Sequence, residues 1–246
     1  MRRLKLTIEY DGSGFSGWQK VGDGLRSVQQ ALEEAAGRIL GARPDVVGAG
    51  RTDAGVHALG QVAHLDIDKP MTPFRFMEAM NAQLRPEPVA VLVVEEADAA
   101  FSARFSAIER AYWYRIINRR ADLALDKGRA WRVAVALDAD AMHAAAQSLV
   151  GHHDFSTFRD AQCQSASPVK TLDRCDVTRV GEEVHVHCAA RSFLHRQVRS
   201  MVGTLMEAGA GRRTIASVGA ALAARDRRAC GQVAPAEGLY LAVVKY

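Results

Sequence analysis

Lysine, cysteine and long apolar segments are all scarce in this sequence of 246 residues. Only 6 of its 32 basic residues are lysine, and the other 26 are arginine. The four cysteines form no C-x-x-C pair, so neither a zinc ribbon nor a thioredoxin-type motif is indicated, and we expect a reducing compartment. No segment approaches the roughly 20 apolar residues that a membrane-spanning helix needs. These absences favour an ordinary soluble globular protein.

Several common catalytic fingerprints are also missing. The sequence contains no G-x-x-x-x-G-K-[ST] phosphate loop and no G-x-S-x-G or H-E-x-x-H motif. Gly12-Ser13-Gly14 lacks the third glycine of a dinucleotide-binding loop. The basic N-terminus leads directly into an alternating strand without an apolar region, so we expect no signal peptide and a cytoplasmic protein.

The arginine excess gives the chain a net charge of +4 and a pI of about 9.0. Arginine presents a planar fork of donors that suits phosphate oxygens, and its guanidinium group stacks on nucleobases. The composition therefore fits a nucleic-acid partner. A genome rich in G and C would produce the same bias whatever the function, and composition alone leaves both explanations open.

The first hundred residues predict the element order β-α-β-β-α-β of a ferredoxin-like unit. The evidence is the alternation of apolar residues in the strands and the capping residues Ser27 and Thr72 before the helices. The predicted elements are a strand at 4–10, a helix at 28–39, an apolar stretch at 46–50, a strand at 60–68, a helix at 73–84 and a strand at 89–94.

The remaining residues nearly repeat this pattern and predict the order β-α-β-β-α-α-β. The predicted elements are a strand at 111–117, a helix at 138–150, a hairpin of 171–180 and 184–190, helices at 194–206 and 214–224, and a strand at 239–244. No low-complexity linker interrupts the junction near Phe101–Arg110. We therefore predict an α+β protein of two halves, residues 1–104 and 105–246, with a cleft between them as the natural place for a site.

Three glycines in the eight residues from Gly48 to Gly55 surround Arg51 and Asp53. Such glycines indicate a backbone bent into conformations that other residues avoid. An aspartate beside an arginine stays ionised to low pH, as a nucleophilic or charge-stabilising carboxylate requires. Asp53 is therefore a candidate catalytic carboxylate. An ordinary turn with a surface ion pair would show the same spacing, and spacing alone leaves that alternative open.

Three consecutive aromatic residues lie between Arg110 and Arg115. In a strand, Tyr112 and Tyr114 face one side while Trp113 faces the other. Aromatic residues with arginine neighbours can form a base-stacking platform. Ordinary sheet packing is the alternative, because aromatic residues favour strands in any case.

A third cluster of polar residues runs from Arg191 to Arg199, where a strand leads into the start of a helix. His195 and Arg199 are one helical turn apart and share a face, and helix N-termini attract anions. A solvated basic face is the alternative. His185 and His187 lie two positions apart on a strand without a second pair of ligands, so we predict no metal site there.

In these segments the sequence resembles the tRNA pseudouridine synthase A family almost from end to end. The string Arg-Thr-Asp-Ala-Gly-Val-His-Ala is highly specific, and it occurs with other motifs at consistent spacing. The matching segments are Tyr10-Asp11-Gly12-Ser13-Gly14-Phe15-Ser16-Gly17-Trp18-Gln19, the stretch from Gly50 to Ala58, Arg110-x-Tyr112-x-Tyr114, His153-Asp154-Phe155 and Phe193-x-x-x-Gln197-Val198-Arg199.

The resemblance implies a pseudouridine synthase fold, in which two α+β halves form one extended, mainly antiparallel sheet with helices packed on it and a central basic cleft. It implies a homodimer that binds tRNA and modifies uridines of the anticodon stem-loop, 3′ of the anticodon. It also implies that Asp53 is the catalytic aspartate, that Tyr112 stacks on the target base and that Arg199 is the partner of the aspartate. Further substrate contacts are expected from Arg51, His57, Gln61, Arg110, Phe193 and His195, with Arg51 and His57 either organising the Asp53 loop or binding phosphate.

The implied reaction is an isomerisation that requires no cofactor or metal. The bond between N1 and C1′ breaks, the uracil rotates, and the base rejoins the ribose through C5. Whether Asp53 adds covalently at C1′ or C6, or drives glycal formation by deprotonation, stays open at this point. Two rivals are a non-catalytic RNA-binding module, which would need an aromatic RNP1 run, and a glycoside-cleaving hydrolase, which would need a second carboxylate.

Overall fold

The computed structural model describes residues 1–20, 22 and 24–246, and these form two compact units. The first unit comprises Met1–Ile108 together with Tyr240–Tyr246, and the second comprises Glu109–Leu239. The C-terminal segment belongs to the first unit because its strand pairs in parallel there, with Tyr240 opposite His57. The chain therefore returns to its first unit after completing the second.

The first unit has the predicted order β-α-β-β-α-β ahead of the returning strand, which confirms that prediction. Its elements are β1 (Arg2–Tyr10), α1 (Val28–Leu40), β2 (Val47–Gly48), β3 (His57–Ile67), α2 (Pro73–Leu84) and β4 (Val89–Ala97). In its sheet β1 lies between β4 and β3 and is antiparallel to both, and β2 is antiparallel to β3.

The core of the first unit follows from the alternation in β1. Leu4, Leu6 and Ile8 are fully buried, and each points to the same face of the sheet because side chains of a strand alternate. The predicted helix caps are present, since the side chain of Ser27 accepts the N–H of Gln30 at the start of α1. The sheet face and the capped helices fix the ends of the loops between them.

The second unit contains two short strands that the sequence did not predict. Its elements are β5 (Glu109–Ile117), β6 (Trp131–Arg132), α3 (Ala139–Gln147), β7 (Gly151–Asp154), β8 (Val169–Val180), β9 (Glu183–Ala190), α4 (Gln197–Gly209) and α5 (Ile215–Ala224); β10 (Leu239–Lys245) is the returning strand. The order β5-β9-β8-β7 is antiparallel throughout, and β6 is parallel to β5.

Several predicted boundaries were wrong. Residues 152–154 were assigned no helix or strand from the sequence but form β7, because they pair with the edge of β8. Helix α4 begins at Gln197 instead of residue 194, because Arg196 has a left-handed backbone (φ 57°) that cannot continue a helix backwards. Helix α3 ends at Gln147 instead of residue 150, and β3 begins at His57 instead of residue 60.

The α+β class and the mainly antiparallel pairing are confirmed in each unit. The hairpin of β8 and β9 is also confirmed, and its turn contains Gly181 with a φ of 59°, a value that glycine adopts without a steric penalty. Within the described part of the chain, no helix combines the length and the apolar character needed to cross a lipid bilayer.

Candidate active site

Asp53 lies in the loop between β2 and β3, at the first position of a tight turn. Its carbonyl oxygen accepts the N–H of Val56 at 3.1 Å, and Gly55 inside the turn has a φ of 78°. Thr52 and Val56 are buried, whereas Asp53 is half-buried. The turn therefore presents the carboxylate of Asp53 from a backbone that is anchored on both sides.

One segment of the chain, between β1 and α1, holds this loop in place. The N–H of Trp18 donates to the carbonyl of Thr52 at 3.0 Å, and the N–H of Gly55 donates to the carbonyl of Phe15 at 3.4 Å. The hydroxyl groups of Tyr10 and Thr52 lie 2.8 Å apart in a buried contact. The residues on both sides of the aspartate are thus tied to the same segment.

Two glycines of that segment permit its close approach to the loop. A Cβ atom built on Gly17 would stand 2.6 Å from the carbonyl oxygen of Thr52, and one built on Gly12 would stand 2.0 Å from that of Val56. Gly17 also has a φ of 107°, which side chains rarely adopt. The segment can therefore pack this closely against the Asp53 loop only because glycine occupies positions 12 and 17.

His57 is buried behind the loop and holds it from within. Its Nδ1 accepts the N–H of Gly12 at 3.0 Å, and its ring stacks on Tyr240 with centroids 4.7 Å apart. The carboxylate of Asp11 lies 3.3 Å from the same nitrogen. Acceptance of the Gly12 N–H requires an Nδ1 that carries no proton. With 2% of its surface exposed, His57 faces the protein interior.

Gln61 and Arg51 occupy opposite environments. Gln61 is fully buried on β3, and its amide group donates to the carbonyl of Gly50 at 2.9 Å, so it supports the start of the loop. Arg51 is exposed. Of the substrate contacts expected in this unit, the structure therefore puts Arg51 at the surface and His57 and Gln61 in the interior.

Tyr112 lies on β5 of the second unit, opposite Cys188 of β9. It is half-buried, and the ring of Phe193 packs against it edge to face, with centroids 5.1 Å apart and planes at 87°. Edge-to-face packing is a favoured geometry for two aromatic rings. Nearby, the guanidinium group of Arg110 donates to the carbonyl of Arg191. The expected contacts Arg110, Tyr112 and Phe193 thus occupy one region of this unit.

Tyr114 shares the sheet face of Tyr112 but is fully buried. Its hydroxyl group donates to the carbonyl of Pro235 at 2.8 Å. Burial raises the pKa of Tyr114 well above its ordinary value, although the nearby charge of Arg199 acts in the opposite direction. Tyr114 is therefore a neutral structural residue that anchors the segment before β10.

Arg199, in the first turn of α4, is bonded to one residue at two points. Its Nε donates to the carbonyl of Ala234 at 2.8 Å, and the N–H of Ala234 donates back to the Arg199 carbonyl at 3.0 Å. Gly203, one turn later, permits this approach, since a Cβ there would stand 1.8 Å from the carbonyl oxygen of Gln232. The paired bonds fix the direction of the guanidinium group.

His195 and Arg196 share a carboxylate that sequence reasoning missed. Nδ1 of His195 lies 3.4 Å from Asp160, and the guanidinium group of Arg196 lies 3.1 Å from it. Burial opposes the charge of Asp160, but the N–H of Gln162 and the two basic residues outweigh it, so the pKa of Asp160 lies below its ordinary value. Asp160 stabilises the strained turn before α4.

The predicted site residues thus divide between the two units. The groups are Arg51, Asp53, His57 and Gln61 in the first, and Arg110, Tyr112, Phe193, His195 and Arg199 in the second. Sequence reasoning assigned no role to the residues that hold these groups, namely Tyr10, Gly12, Gly17, Thr52, Asp160 and Ala234. The available signals were the glycine spacing before α1 and the motifs at Tyr10–Gln19 and Gly50–Ala58, which contain four of these residues.

Potential metal ligands are dispersed among the described residues. Within residues 1–20, 22 and 24–246, no three His, Cys, Asp or Glu side chains are gathered closely enough to hold an ion. His185 and His187 instead pack around Trp113, with ring centroids 5.1 and 6.4 Å from it. The alternation of the two histidines thus reflects packing on one face of the sheet.

The sequence was compared with known families and proteins. The profile of the tRNA pseudouridine synthase family matches residues 6–106 and 145–246. Proteins named tRNA pseudouridine synthase A from Parvibaculum lavamentivorans and Bradyrhizobium diazoefficiens are 59% and 61% identical over 246 residues, and each match covers the whole of both chains. A protein of that name from Rhodopseudomonas palustris is 60% identical over all of this chain and 99% of its own.

Fold, site and matches together define an isomerase that acts on uridine in tRNA. The chain belongs to the tRNA pseudouridine synthase family. The resemblance seen in the motifs is thereby confirmed over the full length of the chain.

Proposed function

We propose that Asp53 is the catalytic carboxylate of uridine isomerisation, that Tyr112 stacks on the uracil, and that Arg199 provides positive charge for the same reaction. Arg51, Arg110 and the turn that carries His195 would bind the tRNA around the target nucleotide. His57 and Gln61 support the Asp53 loop from behind, because both are buried.

The main support for this proposal is the set of hydrogen bonds that holds the backbone on both sides of Asp53. A carboxylate that acts on one atom of a flexible nucleotide has to be held in position before the substrate arrives, because misplacement lowers the rate steeply. The backbone on either side of Asp53 is bonded to the segment between β1 and α1. Such close support is more than a surface turn needs, and it favours catalysis over an ordinary ion-paired turn.

The chemistry asked of Asp53 is consistent with a single carboxylate. The bond from N1 to C1′ breaks, the uracil rotates, C5 bonds to C1′, the proton on C5 leaves to solvent, and N1 takes up a proton. Because the product contains the same atoms as the substrate, the carboxylate is regenerated in every turnover. A hydrolase would also need a second carboxylate to activate water.

Tyr112 is proposed to stabilise the target base outside its stack. Extracting a base from a stacked RNA costs a few kcal/mol, and stacking on an aromatic side chain returns roughly 1–3 kcal/mol. One such contact therefore offsets much of the cost. The edge of Phe193 against the Tyr112 ring supports this role, because it restricts the ring before the base arrives.

Arg199 is proposed to act as a fixed cation. Its Nε bond to Ala234 orients the guanidinium plane, and arginine stays protonated at any physiological pH. A cation favours the ionised form of a nearby carboxylate and also binds phosphate. The paired bonds to Ala234 support a directed role for this side chain over a solvated one.

The substrate is proposed to be the anticodon stem-loop of tRNA, with the modified uridines 3′ of the anticodon. The relatives described above carry the name tRNA pseudouridine synthase A over their whole length, and this supports the assignment. We further propose a cytoplasmic homodimer that requires no metal. Light scattering at several protein concentrations tests the dimer, and activity after exhaustive dialysis against chelator tests the metal requirement.

Replacing Asp53 by asparagine tests the catalytic assignment. Asp53→Asn keeps the shape of the side chain but removes its charge, so we expect no tritium release from C5-labelled uridine in tRNA while folding and tRNA binding persist. Asp68→Asn is the matched control, because Asp68 is exposed just beyond the far end of β3. Residual activity of Asp53→Asn within about tenfold of the wild type would contradict the assignment.

Mapping pseudouridine in cells tests the substrate assignment. In tRNA from cells that lack this protein, carbodiimide-blocked primer extension should no longer stop in the anticodon stem-loop. A gene encoding Asp68→Asn should restore the stops, and one encoding Asp53→Asn should not. Unchanged pseudouridine at those positions would exclude this substrate, whereas abasic products would indicate a hydrolase.

A further inference from the structure

Phe105 is an exposed aromatic residue in a turn of the first unit. Its exposed fraction is 77%, although most large apolar side chains of this protein are buried. The turn comprises residues 102–106, after β4, and none of the roles proposed above involves it. Isolated exposed apolar residues are common on protein surfaces, but this one is carried by a turn that is closed by hydrogen bonds.

The residue at the base of the turn, Ala103, is anchored at both of its backbone polar groups. Its N–H donates to Nδ1 of the buried His64 at 3.1 Å, and its carbonyl accepts the hydroxyl group of Tyr246 at 2.8 Å. Ala103 itself is fully buried. The next two residues of the chain, Arg104 and Phe105, are exposed and follow directly on this anchored residue.

The turn is also closed by its own hydrogen bonds. The N–H of Ser106 donates to the carbonyl of Ser102 at 2.9 Å, and the N–H of Ser102 donates to the Ser106 hydroxyl at 3.0 Å. The Ser102 hydroxyl accepts the N–H of Phe105 at 3.3 Å. The Phe105 ring is thus presented by an ordered backbone, so little entropy is lost when a ligand packs on it.

A cation accompanies the exposed ring. The guanidinium carbon of Arg104 lies 5.2 Å from the centroid of the Phe105 ring, within the range of a cation–π contact. A flat aromatic surface beside a guanidinium group matches an unpaired nucleotide, because the base stacks on the ring and its phosphate meets the cation. The same pair would gain little from a neutral or basic partner.

We propose that Phe105 and Arg104 form a tRNA contact outside the Asp53 loop, in which Phe105 stacks on an unpaired base. The occupant is the substrate RNA, because the family acts on tRNA and the pair combines a stacking surface with positive charge. The contact contributes to binding and takes no part in bond breaking. This proposal can therefore be tested independently of the role assigned to Asp53.

The test is the affinity of the full-length protein for tRNA, measured by filter binding without turnover. Phe105→Ala should weaken binding about tenfold, and Phe105→Trp should restore it because tryptophan also stacks. The slope of log Kd against log salt should be the same as in the wild type, since stacking neutralises no phosphate. Phe74→Ala is the matched control, because Phe74 is 67% exposed on α2 and its loss should leave Kd unchanged.

Four results would overturn the proposal. The first is a Kd for Phe105→Ala within about twofold of the wild type, and the second is an equal loss in Phe74→Ala. The third is restoration by Phe105→Leu as complete as by Phe105→Trp, which would show that apolar volume suffices. A change of sedimentation coefficient in Phe105→Ala would instead assign the turn to contacts between copies of the chain and would also overturn it.

Discussion

The hydroxyl group of Tyr10 lies 2.8 Å from that of Thr52, and this buried contact connects the end of β1 to the residue before Asp53. The two residues are 42 positions apart in the chain. Their contact therefore makes the position of the proposed carboxylate depend on the tertiary fold of the first unit. Loss of either hydroxyl group should be detected both in stability and at the Asp53 loop.

We expect the pair Tyr10→Phe and Thr52→Val to show a coupling energy of about 1 kcal/mol in a double-mutant cycle. The physical reason is that each single change leaves a buried hydroxyl group without this bond, whereas the double change removes both groups. Urea unfolding of the four proteins measures the coupling. Thr178→Val on the exposed side of β8 serves as the control partner and should not couple with Tyr10→Phe. A coupling below about 0.3 kcal/mol for the first pair would show that the contact contributes little.

Gly17→Ala should damage the Asp53 loop more than its small size suggests. The new Cβ would stand 2.6 Å from the carbonyl oxygen of Thr52, and the φ of 107° is unfavourable for alanine. We expect a loss of about 2 kcal/mol or more in the free energy of unfolding and a larger fall in kcat than in tRNA affinity.

Gly14→Ala provides the comparison for that variant. Gly14 belongs to the same segment, but a Cβ there would meet no atom within 4 Å. Its unfolding free energy and its kcat should match the wild type. Equal effects of the two substitutions would mean that the segment as a whole tolerates alanine poorly, and the close approach to Thr52 would lose its significance.

Protonation of His64 in mild acid should make the protein less stable, because it breaks the hydrogen bond from the Ala103 N–H. Burial lowers the pKa of His64, the charge of Arg3 lowers it further, and Asp66 partly opposes the shift. Protonation also places a hydrogen on Nδ1 and removes the acceptor for the Ala103 N–H. Since the folded pKa lies below the unfolded value of about 6.5, stability should fall as the pH drops through that value.

Urea unfolding at about pH 7.5 and about pH 5.5 measures this dependence. His64→Asn should reduce the difference between the two pH values, because the asparagine carbonyl can accept the same N–H and does not titrate. His152→Asn is the control, since His152 is exposed on β7. If His64→Asn kept the full pH dependence of the wild type, the effect would have to come from other groups.

Much of the first unit is predictable because its sequence signals are local. Ser27 and Thr72 accept the N–H groups that the capping patterns predicted, and the alternation from Leu4 to Tyr10 coincides with the buried face of β1. Each signal depends on residues within one turn or one strand. These elements could therefore be predicted without knowledge of any tertiary contact.

Elements that depend on distant partners could not be predicted in this way. The polar residues 152–154 form β7 only because the edge of β8 accepts them. The start of α4 is set by the left-handed Arg196, whose strain is offset by Asp160, a residue 36 positions earlier. Local propensity contains no information about either contact, so a loop and an early helix start were the natural predictions.

The Asp53 loop combines features that could be predicted from local sequence with features that depend on distant partners. Its glycines and the Arg-Thr-Asp string identified the loop from sequence, and the structure gives it a tight turn at Asp53. The burial of His57 and its bond to Gly12 were not visible in the sequence, because they arise only once β1 and β3 have paired. Its burial is in keeping with the loop-organising role, one of the two roles expected for it.

The return of the chain to its first unit has a consequence for the timing of synthesis. Ribosomes add roughly 5–20 residues per second, so the edge of β3 at His57 emerges on the order of ten seconds before the strand that pairs with it. During that interval the nascent first unit carries an unpaired strand edge, a feature prone to association with other chains. The stacking of His57 on Tyr240 forms only after the second unit has been made, so the proposed catalytic loop is among the last parts of the molecule to mature.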